Sequence, residues 1–377
     1  TIDGVCFDSA GSSTVPTSLY SSVAAVNCGL VTLYNCTNVR ITNCRFTNFY
    51  NGLSVVKCST VWVTNNEVSN WYVYGILGSL CSRAFFDYNN VQTCDFAGAG
   101  NAYGIMVTGD QAGGHTSDTT SISNNFIKGV KSWDGLMTHD ITRLKVIGNV
   151  IEDCRVGIDV GHFDVTNVIK SVVVEGNIIS LTSTDTWAGA GASHNGIAVI
   201  GFDATHQCER VSIIGNQVDN FGAMTGAVLS GTPSPYGLQH IRNLTVTGNQ
   251  VTGAGSVNVS TGMFLVGTLN NVTITGNNFN GTFGSGCIRS TATIDYISVS
   301  GNTTTDSNTA NINEYYSSGT ITQLSSKGNV TNSVSPYGLT GTITNSDINL
   351  YGASTAWNPG LIANNTSVSA TVAVTYA

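Results

Sequence analysis

A β-rich run that ends in Gly-Asn or Asn-Asn, followed by a short apolar strand, recurs along the chain. Examples are LKVIGNVI, VVVEGNII and VTITGNNF. The aligned asparagines are Asn43, Asn66, Asn90, Asn125, Asn149, Asn177, Asn216, Asn249, Asn277, Asn302 and Asn329. Neighbouring asparagines are separated by roughly 23 to 39 residues, which is the period of solenoid repeats. The pattern therefore predicts a stack of similar coils.

Each repeat contains a second strand that opens with glycine, as in YGIMV, DGLMT and VGIDV. Both strand types alternate apolar with small or polar residues, so each has one buried face, and no helical period is present. The regular frame of a leucine-rich repeat is missing, and a propeller blade needs four strands. We therefore predict an all-β chain with a right-handed parallel β-helix of about eleven or more coils at 1–340. The start of a small C-terminal β domain is predicted at 341–377.

The repeated asparagine follows a strand at a point where the chain must turn sharply. Asparagine tolerates the left-handed conformation and hydrogen-bonds its own backbone, so we expect it at the turn. Asparagines stacked from coil to coil can also form an amide ladder, which satisfies polar groups in a narrow core.

Composition narrows the class of protein. The chain has 377 residues, of which 41% are hydrophobic and 10% charged, so disorder is excluded. No apolar run approaches the ~18 residues of a membrane helix. A net charge of −8 without clusters of Lys and Arg disfavours a nucleic-acid partner. The chain has no initiating Met and no signal peptide, so we expect a piece of a longer protein.

The ten cysteines show no CxxC or zinc-type spacing. Small buried side chains made in a reducing cytoplasm are the preferred interpretation, and a disulfide framework is the alternative. No pair of His and Asp has the spacing of a zinc or calcium loop, so we expect neither a metal site nor another cofactor.

Aligning the second strands on their glycine suggests which residues share a face. Residues one and three positions after the glycine are apolar and point inward, so those two and four positions after it point outward. This places Met137, His139 and Asp159 outside, with His139 one coil before Asp159 and offset by two residues. Met106 is exposed by the same alignment, and we expect the adjoining loop to cover it.

Just beyond these strands, GHFD (161–164) aligns with GFDATH (201–206). Clustered carboxylates repel each other, which raises a pKa and lets one acid stay protonated beside an ionised one. The candidate catalytic residues are Asp159, Asp164, His139 and Asp203. The candidate substrate-binding residues are His162, His206, Trp187, Trp133, Arg155, Tyr103 and His194.

Less specific roles compete with these assignments. An Asp at a strand end is usually a turn residue, and a single His on a β face is more often solvated than catalytic. Arg155 can bind an acidic sugar or lie in a solvated turn. The aromatic residues of the first half suit a sugar-binding cleft as well as an interface between subunits.

The chain resembles bacteriophage tailspike proteins with a pectate-lyase-like β-helix. The opening IDGVCFDSAGSS is similar to the first coil of that superfamily, and the xVTITGNxF coils cover about residues 25–335. The segment STAWNPGLIANNTSVSATVAVTYA (354–377) resembles the one that opens a small C-terminal β domain in tailspikes of phages infecting Acinetobacter. The sequence stops before the remainder of such a domain, so we expect a truncated C-terminal segment.

The resemblance implies a homotrimer that projects from a virion tail or baseplate, attached through a missing N-terminal region. It also implies binding and cleavage of a host capsular or O-antigen polysaccharide, with no nucleic-acid partner and no membrane insertion. Such a protein is made in the host cytoplasm and acts at the host cell surface.

Three functions remain open. An endo-glycosidase would use two carboxylates, Asp159 with Asp164 or Asp203, and His139 would orient one of them. A polysaccharide lyase would need a base such as His139, His162 or His206, with Arg155 or Arg210 neutralising a uronic acid. A receptor-binding spike without activity would bind the glycan and leave its length unchanged.

Overall fold

The computed structural model describes residues 1–8, 29–94, 102–109, 117–162, 168–181, 195–219, 234–254, 261–283, 287–306, 315–331, 337–339 and 341–351. Every regular element in these ranges is a β-strand, so the described residues contain no apolar helix of membrane-spanning length. The chain divides into two compact units, one of residues 1–183 and 187–190 and the other of residues 184–186 and 191–377.

Eighteen strands lie in the described residues of the first unit. They are β1 (Ile2–Asp3), β2 (Cys6–Asp8), β3 (Val31–Tyr34), β4 (Thr37–Thr42), β5 (Arg45–Val56), β6 (Ser59–Thr64), β7 (Glu67–Ser79), β8 (Ser82–Asp87), β9 (Asn90–Cys94), β10 (Tyr103–Thr108), β11 (Asp118–Ser123), β12 (Phe126–Lys128), β13 (Asp134–His139), β14 (Arg143–Ile147), β15 (Val150–Glu152), β16 (Val156–Gly161), β17 (Ser171–Glu175) and β18 (Ile178–Ser180).

Fourteen strands lie in the part of the second unit that the structure describes. They are β19 (Asn195–Ile200), β20 (Cys208–Ile214), β21 (Gln217–Asp219), β22 (Ser234–Thr247), β23 (Gln250–Ala254), β24 (Met263–Thr275), β25 (Asn278–Thr282), β26 (Ile288–Ser290), β27 (Thr293–Ser300), β28 (Thr303–Asp306), β29 (Tyr315–Ser317), β30 (Thr320–Thr331), β31 (Tyr337–Leu339) and β32 (Thr342–Tyr351).

In the first unit, each coil contributes one strand to each of three parallel sheets. We call β5, β7, β10, β13 and β16 the site sheet. A second sheet contains β4, β6, β8, β11, β14 and β17. A third contains β9, β12, β15 and β18 together with the N-terminal part of β7. This is the predicted parallel β-helix.

The second unit repeats the arrangement with longer strands that bend from one sheet into the next. Strand β22 pairs with β19 through its first half and with β20 through its second half. Strand β24 likewise pairs with β26 and β27. Strand β32 pairs in parallel with β30. The predicted boundary at residue 340 stays a prediction, and residues 352–377 lie outside the described residues.

Identical register from coil to coil builds the core. Leu53, Ile76, Ile105, Leu136 and Ile158 form one row of the site sheet, and each of them is 0% exposed. Each buried aliphatic side chain of this size contributes roughly 1.5–3 kcal/mol to stability. The alternation predicted for the inward residues of these strands is therefore confirmed.

The glycine at the second position of β10 and of β13 also faces the interior. A Cβ atom on Gly135 would lie 2.8 Å from Cγ2 of Ile151 and 3.0 Å from Sγ of Cys154. A Cβ atom on Gly104 would lie 2.6 Å from Cγ2 of Ile127. The core leaves no room for a side chain there, which explains why the repeat begins with glycine.

The interior amide ladder is present in both units. In the first it contains Asn66, Asn89, Asn125, Asn149 and Asn177. In the second it contains Asn216, Asn249, Asn277, Asn302 and Asn329. Within the ladders, a residue such as Asn125 or Asn277 donates to the next amide oxygen and to a main-chain carbonyl, and its own oxygen accepts two N–H groups. The ladder therefore satisfies the polar backbone groups of the narrow core.

The prediction was wrong for two of the asparagines assigned to the ladder, Asn43 and Asn90. Asn89, not Asn90, occupies the ladder, and Cys44 replaces Asn43 at its first position, where the Cys44 N–H donates to Oδ1 of Asn66. The exposed Asn43 instead has a left-handed backbone, with φ of 54°. The left-handed turn lies one residue before the ladder position, and where two polar residues are adjacent the pattern does not reveal which points inward.

Four of the cysteines lie in turns between strands. The Sγ atoms of Cys44, Cys58, Cys81 and Cys154 each donate to the carbonyl two residues earlier. Six of the nine cysteines in the described residues are buried. They behave as small side chains that fill the corners of the coils.

The amide ladder generates a stability prediction. Asn149→Ala removes the partner of the Asn125 N–H and of the Ile122 carbonyl, and it removes one of the two donors to the Asn177 Oδ1 atom. Leaving the first two groups buried and unpaired should lower the free energy of unfolding by about 2–4 kcal/mol, measured by chemical denaturation. Asn278→Ala, at an exposed position, is the control and should change it by less than about 0.5 kcal/mol. Equal effects of the two variants would contradict a structural role for the ladder.

Candidate functional site

The outer face of the site sheet carries the predicted residues in the predicted register. Met137 pairs with Asp159 and His139 pairs with Gly161, so His139 lies one coil before Asp159 and is offset by two residues. The row before Asp159 runs through Leu77, Met106 and Met137. The sequence alignment of these two strands is confirmed.

Most of this outer face is buried, which differs from the prediction. Met106 and Met137 are 8% and 4% exposed, and His139 is 6% exposed. The two methionines belong to an apolar cluster with Val73, Tyr74, Leu77 and Tyr103, against which Tyr50, Tyr72 and Trp133 pack. The expectation of an exposed Met137 was therefore wrong, because an outward side chain is exposed only where nothing packs over it.

Two carboxylates and a guanidinium lie together at the end of this cluster. Asp134 occupies the position before the glycine of β13, in the same row as Tyr74 and Tyr103. Asp134 and Arg155 are each 1% exposed, whereas Asp159 is partly exposed. We call Asp134 and Asp159 the acid pair.

Arg155 is held in place from two sides. Its Nη1 atom donates to the carbonyl of Ser132 at 2.7 Å, and its guanidinium lies 4.7 Å from the ring centre of Trp133. Planar stacking of this kind suits arginine because its guanidinium is weakly hydrated. Arg155 is therefore a buried cation and not part of a solvated turn.

Buried polar atoms without partners concentrate at this place. Among the described residues, Oδ2 of Asp134, Oδ1 of Asp159 and Nε of Arg155 are buried and have no hydrogen-bond partner. Leaving such a group unpaired costs about 1–3 kcal/mol, and more when it is charged. Three unpaired buried polar atoms in one place lower the stability of the fold. Such a cluster is typical of a functional site, where chemistry and not stability determines which residues are present.

Burial shifts the pKa values of the acid pair upward. It raises the pKa of Asp159 to about 7. It also raises the pKa of Asp134 well above its ordinary value; the charge of Asp159 raises that pKa further, and Arg155 lowers it. The two carboxyl groups titrate together, and the pair holds at least one proton near neutral pH. An acid that is protonated at pH 7 can donate a proton to a leaving group.

His139 is neutral over the physiological range, because burial lowers its pKa to about 3. A buried imidazole with so low a pKa is a weak base. The geometry is compatible with a packing or orienting role for His139 and does not favour a role in proton abstraction.

Asp203 and His206 form a compact turn in the second unit. Oδ1 of Asp203 accepts hydrogen bonds from the Thr205 N–H at 2.8 Å, the Thr205 hydroxyl at 2.8 Å and the His206 N–H at 2.8 Å. It also lies 2.9 Å from Nδ1 of His206. The hydroxyl of Thr205 and the N–H of His206 hold the pKa of Asp203 well below its usual range. These are the contacts of a turn residue, and the catalytic role of Asp203 stays a prediction.

The other predicted residues fall in two groups. Tyr103 and His162 are buried at 4% and 3% exposure. Asp164, Trp187 and His194 lie outside the described residues, so their assignments stay predictions.

Asp134 was missed by sequence reasoning. The alignment began at the glycine, so the residue before it was never placed on a face. The signal was available, because Asn51, Tyr74, Tyr103 and Asp134 occupy this position in successive coils and only Asp134 is a carboxylate.

Comparison with known proteins gives a family and a weak structural likeness. A family described as "Periplasmic copper-binding protein (NosD)" matches residues 3–221. No curated protein matches the chain. Among solved structures, the A-module of mannuronan C-5 epimerase AlgE6 from Azotobacter vinelandii aligns at 12% identity and a TM-score of 0.42, covering 91% of each chain. At that score the likeness carries no argument about function.

The acid pair predicts a pH-dependent stability. A carboxyl whose pKa is raised on folding stabilises the fold while it is protonated, so stability is lost as the pH rises from about 4 towards 7. Asp159→Asn places a neutral amide there and should remove this loss, which makes the variant more stable than the parent at pH 8.

Thermal unfolding between pH 4 and pH 8 measures the effect. The control is Asp118→Asn, because hydrogen bonds from Arg143 lower the pKa of Asp118 and offset the effect of its burial. An Asp159→Asn variant that follows the pH dependence of the parent would contradict a raised pKa.

Proposed function

The chain belongs to the NosD family, and we propose that it binds a bacterial surface polysaccharide on the outer face of the site sheet and hydrolyses it. The observation that carries this proposal is the acid pair: a partly exposed carboxyl with a pKa of about 7 beside a buried second carboxyl and a buried arginine. Glycoside hydrolysis needs an acid that is still protonated near neutral pH.

Asp159 is the general acid in this proposal. Its partial exposure lets it reach the glycosidic oxygen, and donation of its proton there lets the leaving sugar depart as an alcohol. Asp134 is too deeply buried to touch a sugar. Its carboxyl interacts electrostatically with both Asp159 and Arg155, so Asp134 and Arg155 are positioning residues.

Hydrolysis requires a second carboxylate on the opposite side of the sugar, as nucleophile or as base for water. We retain Asp164 for this role, since it follows β16 closely in the chain. A separation of about 5–5.5 Å from Asp159 would give retention of configuration, and one of about 6.5–9.5 Å would give inversion.

Elimination is less well supported by the same contacts. A lyase needs an exposed cation beside the uronic acid, but Arg155 is buried and engaged by Ser132 and Trp133. It also needs a base, and His139 is buried with a pKa of about 3. Hydrolysis is therefore the preferred reaction, and elimination is an outcome that the experiment distinguishes.

The biological setting belongs to the proposal as well. The family description names the periplasm, a location outside the cytoplasm. We propose that the chain is the β-helical part of a phage tailspike, a homotrimer on a virion tail that acts on capsular or O-antigen polysaccharide at the host surface. The resemblance of its coils and its last segment to such tailspikes supports this setting.

The family description also names copper. In the described ranges, no group of three or more His, Cys, Asp and Glu side chains is placed to hold a metal ion. The thiols at the coil corners donate to main-chain carbonyls instead. These residues do not fit a copper centre, and no step of the proposed reaction uses one.

Incubation with a panel of purified capsular and O-antigen polysaccharides tests the activity. Hydrolysis raises the number of reducing ends without new absorbance near 235 nm, whereas elimination produces that absorbance. Binding without any change in polymer length would support the non-catalytic spike. Asp159→Asn should lower the rate at least about 1,000-fold, since it removes the proton donor.

Asp87→Asn is the matched control, because Asp87 is also a partly buried carboxyl with a raised pKa but lies on β8 in the second sheet. Its activity should stay within about twofold of the parent. An Asp159→Asn variant that cleaves as fast as Asp87→Asn would exclude Asp159 as the acid.

The positioning role of Asp134 has its own signature. Asp134→Asn keeps the shape and the neutral form of the side chain, and burial is what raises the pKa of Asp159, so the alkaline limb of the kcat–pH profile should stay in place and kcat should remain close to that of the parent. Asp134→Ala removes the side chain beside Asp159, so kcat should fall while KM stays nearly constant. Equal losses of activity in the two variants would contradict a positioning role that depends on the shape of Asp134.

A further inference from the structure

A row of aromatic side chains leads to the acid pair from the N-terminal side. The rings of Tyr50 and Tyr72 stack with centres 5.3 Å apart, and those of Tyr74 and Tyr103 stack with centres 5.5 Å apart. Trp133 directly precedes Asp134 and covers Arg155. All five belong to, or pack against, the apolar cluster on the outer face of the site sheet.

The coil register fixes the direction of this row. Asn51 pairs with Tyr74, Tyr74 with Tyr103, and Tyr103 with Asp134. Neighbouring strands lie about 4.8 Å apart, so the step from Asn51 to Asp134 covers roughly 14 Å along the coil axis. The aromatic row therefore runs parallel to that axis and ends at the acid pair.

Exposure divides the row into two layers. Tyr74 and Tyr103 are 8% and 4% exposed and form the support. Tyr50, Tyr72 and Trp133 remain partly exposed, and we call these three residues the aromatic track. A partly exposed ring held rigidly from below binds a ligand with little loss of conformational entropy.

We infer that the polysaccharide lies along the coil axis, with several uncharged sugar residues on the aromatic track and the scissile bond at Asp159. This rests on the proposed function, and it places the whole groove within one chain. Sugar rings present C–H groups that pack on aromatic faces. The track and the tyrosines, leucine and methionines beneath it carry no charge, which suits uncharged sugar residues.

The test uses oligosaccharides of graded length, prepared by partial acid hydrolysis of the polymer that the panel identifies as substrate. The inference predicts that kcat/KM rises with length until the track is filled. Tyr72→Ala should raise KM about tenfold for the long oligosaccharides and leave kcat nearly unchanged. For the shortest oligosaccharide that is cleaved, KM should also stay nearly unchanged. Tyr72→Phe keeps the ring and should restore the parental KM.

Trp62→Ala is the matched control, since Trp62 stacks on Phe85 in the second sheet, away from the site sheet. It should leave KM unchanged for every length. Binding without cleavage is measured by isothermal titration of the Asp159→Asn variant with the same oligosaccharides. The double variant Asp159→Asn/Tyr72→Ala should bind the long oligosaccharides about tenfold more weakly than Asp159→Asn alone.

The outcomes separate the track from the proposed function. If Asp159→Asn abolishes cleavage but Tyr72→Ala and Trp62→Ala behave alike, the track is wrong and the function stands. If Asp159→Asn still cleaves while Tyr72→Ala raises KM, the acid is wrong and the track stands. A parent protein that neither binds nor cleaves any polymer of the panel overturns both.

Discussion

Hydrogen bonding between neighbouring coils is the constraint on which the rest of this protein depends. Each coil is too thin to bury its own polar backbone groups, so it must pair with the coils on either side. The strands do this along their edges, and the ladder asparagines do it at the corner where a strand ends. Because both kinds of bond need identical register, a shift of one residue would break the ladder and the apolar rows together.

That register also determines what lies on the outside. Residues that are far apart in the chain form straight rows on the outer face, and the chemistry of the face depends on which rows carry apolar, aromatic or acidic groups. Here the apolar rows fill the first coils, and the acidic residues lie where those rows end. The apolar cluster excludes water from the surroundings of Asp134 and Asp159, and this desolvation favours the neutral form of a carboxyl. Packing on the outer face is therefore the main reason why the pKa values of Asp134 and Asp159 are raised.

The sequence allowed the fold to be predicted because its repeats reveal period, strand type and register at once. The offset between His139 and Asp159 followed from aligning two glycines. Burial on the outer face could not be predicted in this way, since it depends on what packs over Met106 and Met137 rather than on which way they point. Asp134 was missed for a related reason: the residue before an interior glycine also points outward, and this becomes clear only once the clash at Gly135 is seen.

The separation of inner and outer rows has a consequence for how such proteins diversify. The inner row from Leu53 to Ile158, at 0% exposure in the site sheet, stabilises the coil stack, while in the proposed function the outer rows bind the ligand. Substitutions at the partly exposed outer positions, such as Tyr50, Tyr72 and Trp133, can therefore accumulate without weakening the core. If the proposed function holds, selection for a new polysaccharide can exchange such side chains coil by coil, while the scaffold that displays them is inherited unchanged.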